Sequence, residues 1–169
     1  MRVLNGALAL ALLSVTASAA SITVAGDGDI SSWGVLNTAT YGQTLTAEGS
    51  QLTDFTFYLG RRSSGSGDIQ YRAYLYQWDG SKATGSAVWQ SAISVLTPGV
   101  DSFPVSFAPN AAVTNGSQYV LFFSTSGLQA GQPQSRARWN TNSTNPYAGG
   151  AFVYMNNTDN FALLTSDSW

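Results

Sequence analysis

The stretch Val113 to Thr125, VTNGSQYVLFFST, limits the folds open to this chain more than any other. It begins with Asn115-Gly116, two residues that tolerate positive φ and so mark a turn. It continues into Tyr119-Val120-Leu121-Phe122-Phe123, the densest apolar run outside the N-terminus. Bounded by Gly116 and Gly127, this run is too short for a helix and rich in β-formers. That predicts a central strand buried on both faces. The spacing Val113-x-x-Gly116-x-x-Tyr119 adds a second expectation. A tyrosine just past a turn can place its ring in a sandwich core and bond its hydroxyl back to the turn backbone, the tyrosine-corner arrangement. A tyrosine that is simply buried in a sheet is the competing outcome.

The rest of the chain reads as short strands between turn signals. Ile22-Thr23-Val24 is a first short strand. Trp33 to Thr46 alternates over Ala39, Tyr41, Gln43 and Leu45 against Thr40, Gly42, Thr44 and Thr46, which predicts a half-exposed strand. Gln51 to Leu59 puts Phe55, Phe57 and Leu59 on one face and Asp54, Thr56 and Tyr58 on the other. Only Ala47 to Ser50 separates these two strands, so a hairpin is expected. Arg61 to Asp68 reads as a loop. Ile69 to Trp78 is the longest alternating strand, with Ile69, Tyr71, Ala73 and Leu75 against Arg72, Tyr74, Tyr76 and Trp78. Asp79-Gly80 is a hairpin turn. Val88 to Gln90 and Ile93 to Val95 form one bent or two short strands, and Pro98-Gly99 is a turn. Ser102 to Phe107 sends Phe103, Val105 and Phe107 inward and Pro104 outward, as an edge strand allows. Ser126 to Gly150 is a long loop in which only Arg136 to Trp139 reads as strand. Ala151 to Met155 and Phe161 to Thr165 are expected as two last strands. The sum is an all-β chain, an antiparallel β-sandwich or jelly roll of about nine or ten strands. Its predicted core holds Phe55, Phe57, Leu75, Phe103, Val105, Leu121 and Phe123.

Composition narrows what such a chain can do. Charged residues make up 9% of the 169, and the formal charge is -2. There is no basic footprint for nucleic acid or anionic lipid. Cysteine and histidine are both absent. Disulfides, thiolate nucleophiles, thiolate metal sites and the commonest general base are therefore excluded. Met1-Arg2, the mostly apolar Val3 to Leu13 and the small-residue pattern Ala17-Ser18-Ala19 read as a secretory leader over residues 1 to 20. A single exported domain over residues 21 to 169 follows from that reading.

Few residues suggest chemistry. Asp27 and Asp29, in Gly26-Asp27-Gly28-Asp29, could offer carboxylates to calcium, but a turn is the commoner use of Gly and Asp. A glycoside hydrolase needs two facing carboxylates, and nothing places Glu48 opposite Asp54. Arg61 and Arg62 are candidates for anion contact or simply a solvated loop tip. Tyr74, Tyr76 and Trp78 share one strand face and could stack on sugar rings, or lie under a second layer. Trp139 and Tyr147, in the long loop, are candidates for exposed contact.

Five blocks resemble a family of exported bacterial β-sandwich proteins, many of which carry a PEP-CTERM sorting tail. They are Ala39 to Thr46 (ATYGQTLT), Leu52 to Leu59 (LTDFTFYL), Tyr71 to Gly80 (YRAYLYQWDG), Tyr119 to Thr125 (YVLFFST) and Pro146 to Gly150 (PYAGG). The resemblance spans residues 37 to 165 and implies no catalytic residues. The tail would read Pro-Glu-Pro, an apolar span and basic residues, and these 169 residues do not contain it. A fragment or a tailless secreted form is the expectation, with membrane attachment only through such an anchor. The functional expectation is a non-enzymatic module with a structural or adhesive role at the cell surface or in its matrix. The alternatives are a glycan-binding module for extracellular polysaccharide and, more remotely, a carboxylate-dependent hydrolase.

Overall fold

A computed structural model describes residues 28–34, 38–64, 68–97, 103–128, 130, 136–141, 144–145 and 147–169. The expected leader, the Ile22-Thr23-Val24 strand, Asp27 and the Pro98-Gly99 turn lie outside these residues. Among them the chain forms twelve strands and one short helix. No helix is long and apolar enough to cross a membrane.

Two antiparallel sheets pack face to face as a β-sandwich. The first has the order β1 (Gly28–Gly34), β11 (Arg136–Thr141), β4 (Phe55–Ser64) and β8 (Phe103–Phe107). The second has the order β12 (Phe152–Met155), β2 (Thr40–Thr46), β10 (Gln118–Ser124), β5 (Ile69–Trp78) and β6 (Ala83–Gln90). β7 (Ser94–Leu96) continues along β5 where β6 stops. β3 (Gln51–Leu52) and β9 (Ala111–Ala112) form a separate small ribbon.

The apolar run 119–123 forms the centre of the second sheet, as its composition predicts. β10 lies between β2 and β5, and every residue from Tyr119 to Ser124 is buried. Tyr119, Leu121 and Phe123 point between the sheets, with Phe55, Leu59, Tyr71, Leu75 and Trp139. Phe57, Phe103 and Val105 pack at the margin of this core and are partly buried. Val120 and Phe122 point the other way, into a second apolar layer with Tyr74, Tyr76 and Leu164.

The tyrosine corner is present. The Thr114 N–H donates to the Tyr119 hydroxyl at 2.9 Å, and the ring is 2% exposed. Gly116 sits at φ +78, where a side chain would be strained, and its N–H donates to the Ala47 carbonyl at 2.7 Å. The turn is thereby tied to the end of β2.

Several local expectations are corrected. The stretches around Ala39–Thr46 and Gln51–Leu59 do not form a hairpin, because β2 and β4 belong to different sheets. The connecting residues carry β3, which pairs with β9 and steers the chain across. The expected Trp33–Thr46 strand is two elements, since Trp33 lies at the end of β1 in the first sheet and only Thr40–Thr46 form β2. β2 is not half-exposed, since Thr40 and Thr44 are buried. Thr40 bonds Ser124 at 2.7 Å and Asn157 at 3.0 Å, so its hydroxyl is satisfied inside. Arg61 to Ser64, expected as loop, continue β4. Phe161 to Thr165, expected as strand, are a turn leading into α1 (Leu163–Ser166). That segment lies on the outer face of the second sheet instead of extending its edge. β8 is an edge strand with Pro104 outward, as the proline requires.

Candidate functional site

The aromatic residues that suggest sugar stacking are built into the scaffold. Tyr74 and Tyr76 alternate outward from β5, but residues 161 to 169 close over them, and both are buried. Tyr74 stacks on Phe122 at 5.0 Å and touches Phe161 at 5.1 Å. Trp78 is half-buried edge-on against Trp169 at 5.5 Å. Trp169 in turn packs on Phe122 at 5.2 Å, donates its indole N–H to the Leu164 carbonyl at 2.8 Å and its backbone N–H to Ser81 at 2.9 Å. Desolvation raises the hydroxyl pKa of both Tyr74 and Tyr76.

Trp139 is not exposed. It is 3% accessible, since β11 runs through the middle of the first sheet and turns Ala137 and Trp139 inward. Its ring meets Trp33, Tyr41, Phe57 and Phe123 at 4.7 to 5.7 Å. Tyr147 is half-buried. Its hydroxyl donates to the Thr46 carbonyl and accepts from the Thr46 N–H, both at 3.3 Å, fastening the 147–150 segment along β2.

Among the described residues the carboxylates do not converge. Asp29 pairs with Arg138 at 3.2 Å. Asp54 accepts from the Thr53 hydroxyl and Asp68 from the Thr97 hydroxyl. Asp79 accepts from the backbone of Ser81 and Lys82, and these bonds hold its pKa below the usual carboxylate value. Asp159 accepts from the Gly127 N–H at 2.6 Å, and Asp167 from the Ser166 hydroxyl at 2.7 Å. Each of these six aspartates thus organises a turn or strand end. Glu48 lies exposed in the turn after β2. No three carboxylate, histidine or cysteine side chains among the described residues gather to hold a metal ion.

Two concave or flat surfaces remain. An open groove of about 630 Å³ runs between β6 and residues 161 to 165. Tyr76, Ser86, Gln90 and Thr165 supply its polar atoms, and none of its lining residues is charged. The second surface is the outer face of the first sheet. It presents Thr56 and Tyr58 from β4, Pro104 and Ser106 from β8, Arg138 and Asn140 from β11, and Asp29 from β1. Tyr58 is 52% exposed there. The alternation of Gln51 to Leu59 already assigns Tyr58 to the polar face, so the signal lies in the sequence. What the alternation cannot show is that Thr56, Tyr58, Pro104 and Ser106 stay exposed while residues 161 to 169 cover the outer face of the other sheet. The chain matches no family model, no curated protein and no solved structure.

Proposed function

We propose that this chain is a non-enzymatic, exported β-sandwich module with a structural or adhesive role at a bacterial cell surface or in its matrix. One observation carries the reading: each of the six described aspartates serves as a local structural acceptor, and none faces another across a cleft. Carboxylate hydrolysis needs two such groups held opposite one another. With histidine and cysteine absent from the sequence, few other side chains could supply acid–base or nucleophilic chemistry. The aromatic side chains support the same reading, because most of them rigidify two packed layers. The leader-like residues 1 to 20 and the resemblance over residues 37 to 165 support export.

The test is retention without turnover. The purified protein, coupled to beads, is expected to retain bacterial envelope or matrix material over uncoupled beads, while releasing no reducing sugar from polysaccharide. Catalytic sugar release would overturn the non-enzymatic reading, and failure to retain any such material would overturn the adhesive one.

A further inference from the structure

We infer that the outer face of the first sheet is a carbohydrate-binding platform for a neutral polysaccharide, with Tyr58 as its stacking residue. This rests on the adhesive reading and specifies what the surface would hold. The geometry is a transverse row across all four strands. Asp29 is registered opposite Asn140, and Tyr58 opposite Pro104. Asn140 and Tyr58 are the next residues along from the Trp139–Leu59 pair, so they continue the same row. Three inter-strand spacings make the row about 14 Å long, the scale of a short run of sugar units.

The row sets the apolar Tyr58 and Pro104 beside the polar Asn140 and Asp29, and the Thr56–Ser106 pair lies two residues along the same strands. The exposed ring of Tyr58, extended by Pro104, offers a flat apolar patch to the C–H face of a pyranose. On either side lie groups that can bond hydroxyls. The Thr56 and Ser106 hydroxyls bond one another across β4 and β8 at 2.7 Å, each keeping further capacity as donor or acceptor. Arg138 holds Asp29 through Nη1 at 3.2 Å, and both side chains remain 39% exposed. That pair is fixed in place before any ligand arrives, which reduces the ordering cost of binding.

Charge selects the class of polysaccharide. Arg138 and Asp29 cancel beside this row. Arg136, the other outward-facing arginine of β11, lies about 14 Å along the strand from Asn140, beyond the roughly 8 Å Debye length at physiological ionic strength. The protein as a whole carries -2. An anionic chain such as alginate would meet no net positive field, so a neutral chain is the better partner. The same polarity argues against a second copy of the protein as occupant, because the cores of stable interfaces are depleted of charged residues.

Affinity electrophoresis tests the assignment, with native gels holding galactomannan, mixed-linkage β-glucan, hydroxyethylcellulose, dextran or alginate. Retardation is expected in at least one neutral gel and not in alginate. Tyr58→Ala should weaken that retardation about tenfold or more, as loss of a central aromatic contact does. Tyr154→Ala, which removes the exposed tyrosine of the β12 edge, should leave it unchanged. Tyr58→Ala should keep the wild-type denaturation midpoint. Tyr154→Ala also loses ring contacts with Phe152 and Tyr41, so its midpoint should fall somewhat, and the gels are run well below it, where the variant is folded. Retardation that survives Tyr58→Ala would overturn this site while leaving the adhesive reading intact. So would retardation in alginate alone, absence of retardation in all four neutral gels, or a dimer dispersed by Tyr58→Ala. Sugar release would instead overturn the reading on which the site rests.

Discussion

Tyr119→Phe isolates a single hydrogen bond in this sandwich. The ring stays in the core between the sheets, and only the oxygen that accepts the Thr114 N–H at 2.9 Å is lost. A net intramolecular hydrogen bond contributes about 0.5–1.5 kcal/mol, and a donor left buried costs about 1–3 kcal/mol. Thr114 is itself exposed, so water can reach its freed N–H. The lower range therefore applies, and we expect a loss of about 1 kcal/mol. With a urea m-value of about 1–3 kcal/mol/M, the midpoint should fall by about 0.3–1 M at unchanged m. Tyr119→Ala also removes the ring and should cost about 3–5 kcal/mol, the usual range for emptying a large aromatic site. Amide hydrogen exchange supplies a local readout. The Thr114 amide should exchange faster in Tyr119→Phe, while the amides of Leu121 and Phe123 change only with global stability. A Tyr119→Phe midpoint equal to wild type, with Thr114 exchange unaltered, would refute the reasoning.

Two further outcomes follow from buried aromatics. Burial pushes the Tyr71 hydroxyl up to about 12, partly offset by its hydrogen bond with Ser94, and raises Tyr41, Tyr74 and Tyr76 in the same direction. The folded state thus keeps a proton that the unfolded state releases near pH 10. Stability should be intact below pH 10 and fall by about 1.4 kcal/mol per pH unit from Tyr71 alone up to pH 12; urea melts that show no smaller alkaline loss in Tyr71→Phe would contradict this. Trp169→Ala should cost about 2 kcal/mol, less than a fully buried tryptophan because Trp169 is half-buried. It should also increase binding of a hydrophobic dye at the uncovered Phe122 and Trp78, and unchanged dye binding and midpoint would show that the C-terminal segment does not seal that face.

What could be read from the sequence was local. The 119–123 run needs no partner to declare itself buried, and the tyrosine corner closes within the six residues from Thr114 to Tyr119. The Asp79-Gly80 turn and the outward Pro104 were legible for the same reason, since each is set by backbone chemistry at one position. What failed depended on distant chain. Trp139 ends the one short strand read within a long polar loop, which suggested exposure, and only pairing with β1 and β4 makes it core. The four residues after β2 look like a hairpin turn until Ala111–Ala112 arrive to pair with Gln51–Leu52. Phe161 to Thr165 are apolar enough for a strand. They adopt a helical turn because Leu164 finds burial against β10 and β5. The same dependence hid the candidate platform, since it is residues 161 to 169 that cover the outer face of the second sheet and not that of the first.

The pairing of β1 with β11, and of β2 with β10 and β12, has a consequence in time. Gly28 must find Thr141, and Thr40 must find both Ser124 and Met155. Chain closure over such separations precedes any energetic return, so the barrier to folding is largely entropic. Folding on the millisecond-to-second scale typical of sandwiches is expected. As a ribosome releases the chain, its first strands must wait, unpaired, for its last third. The molecule therefore spends its earliest life with open strand edges, which leaves it threadable and, for the same interval, prone to pair with the wrong chain.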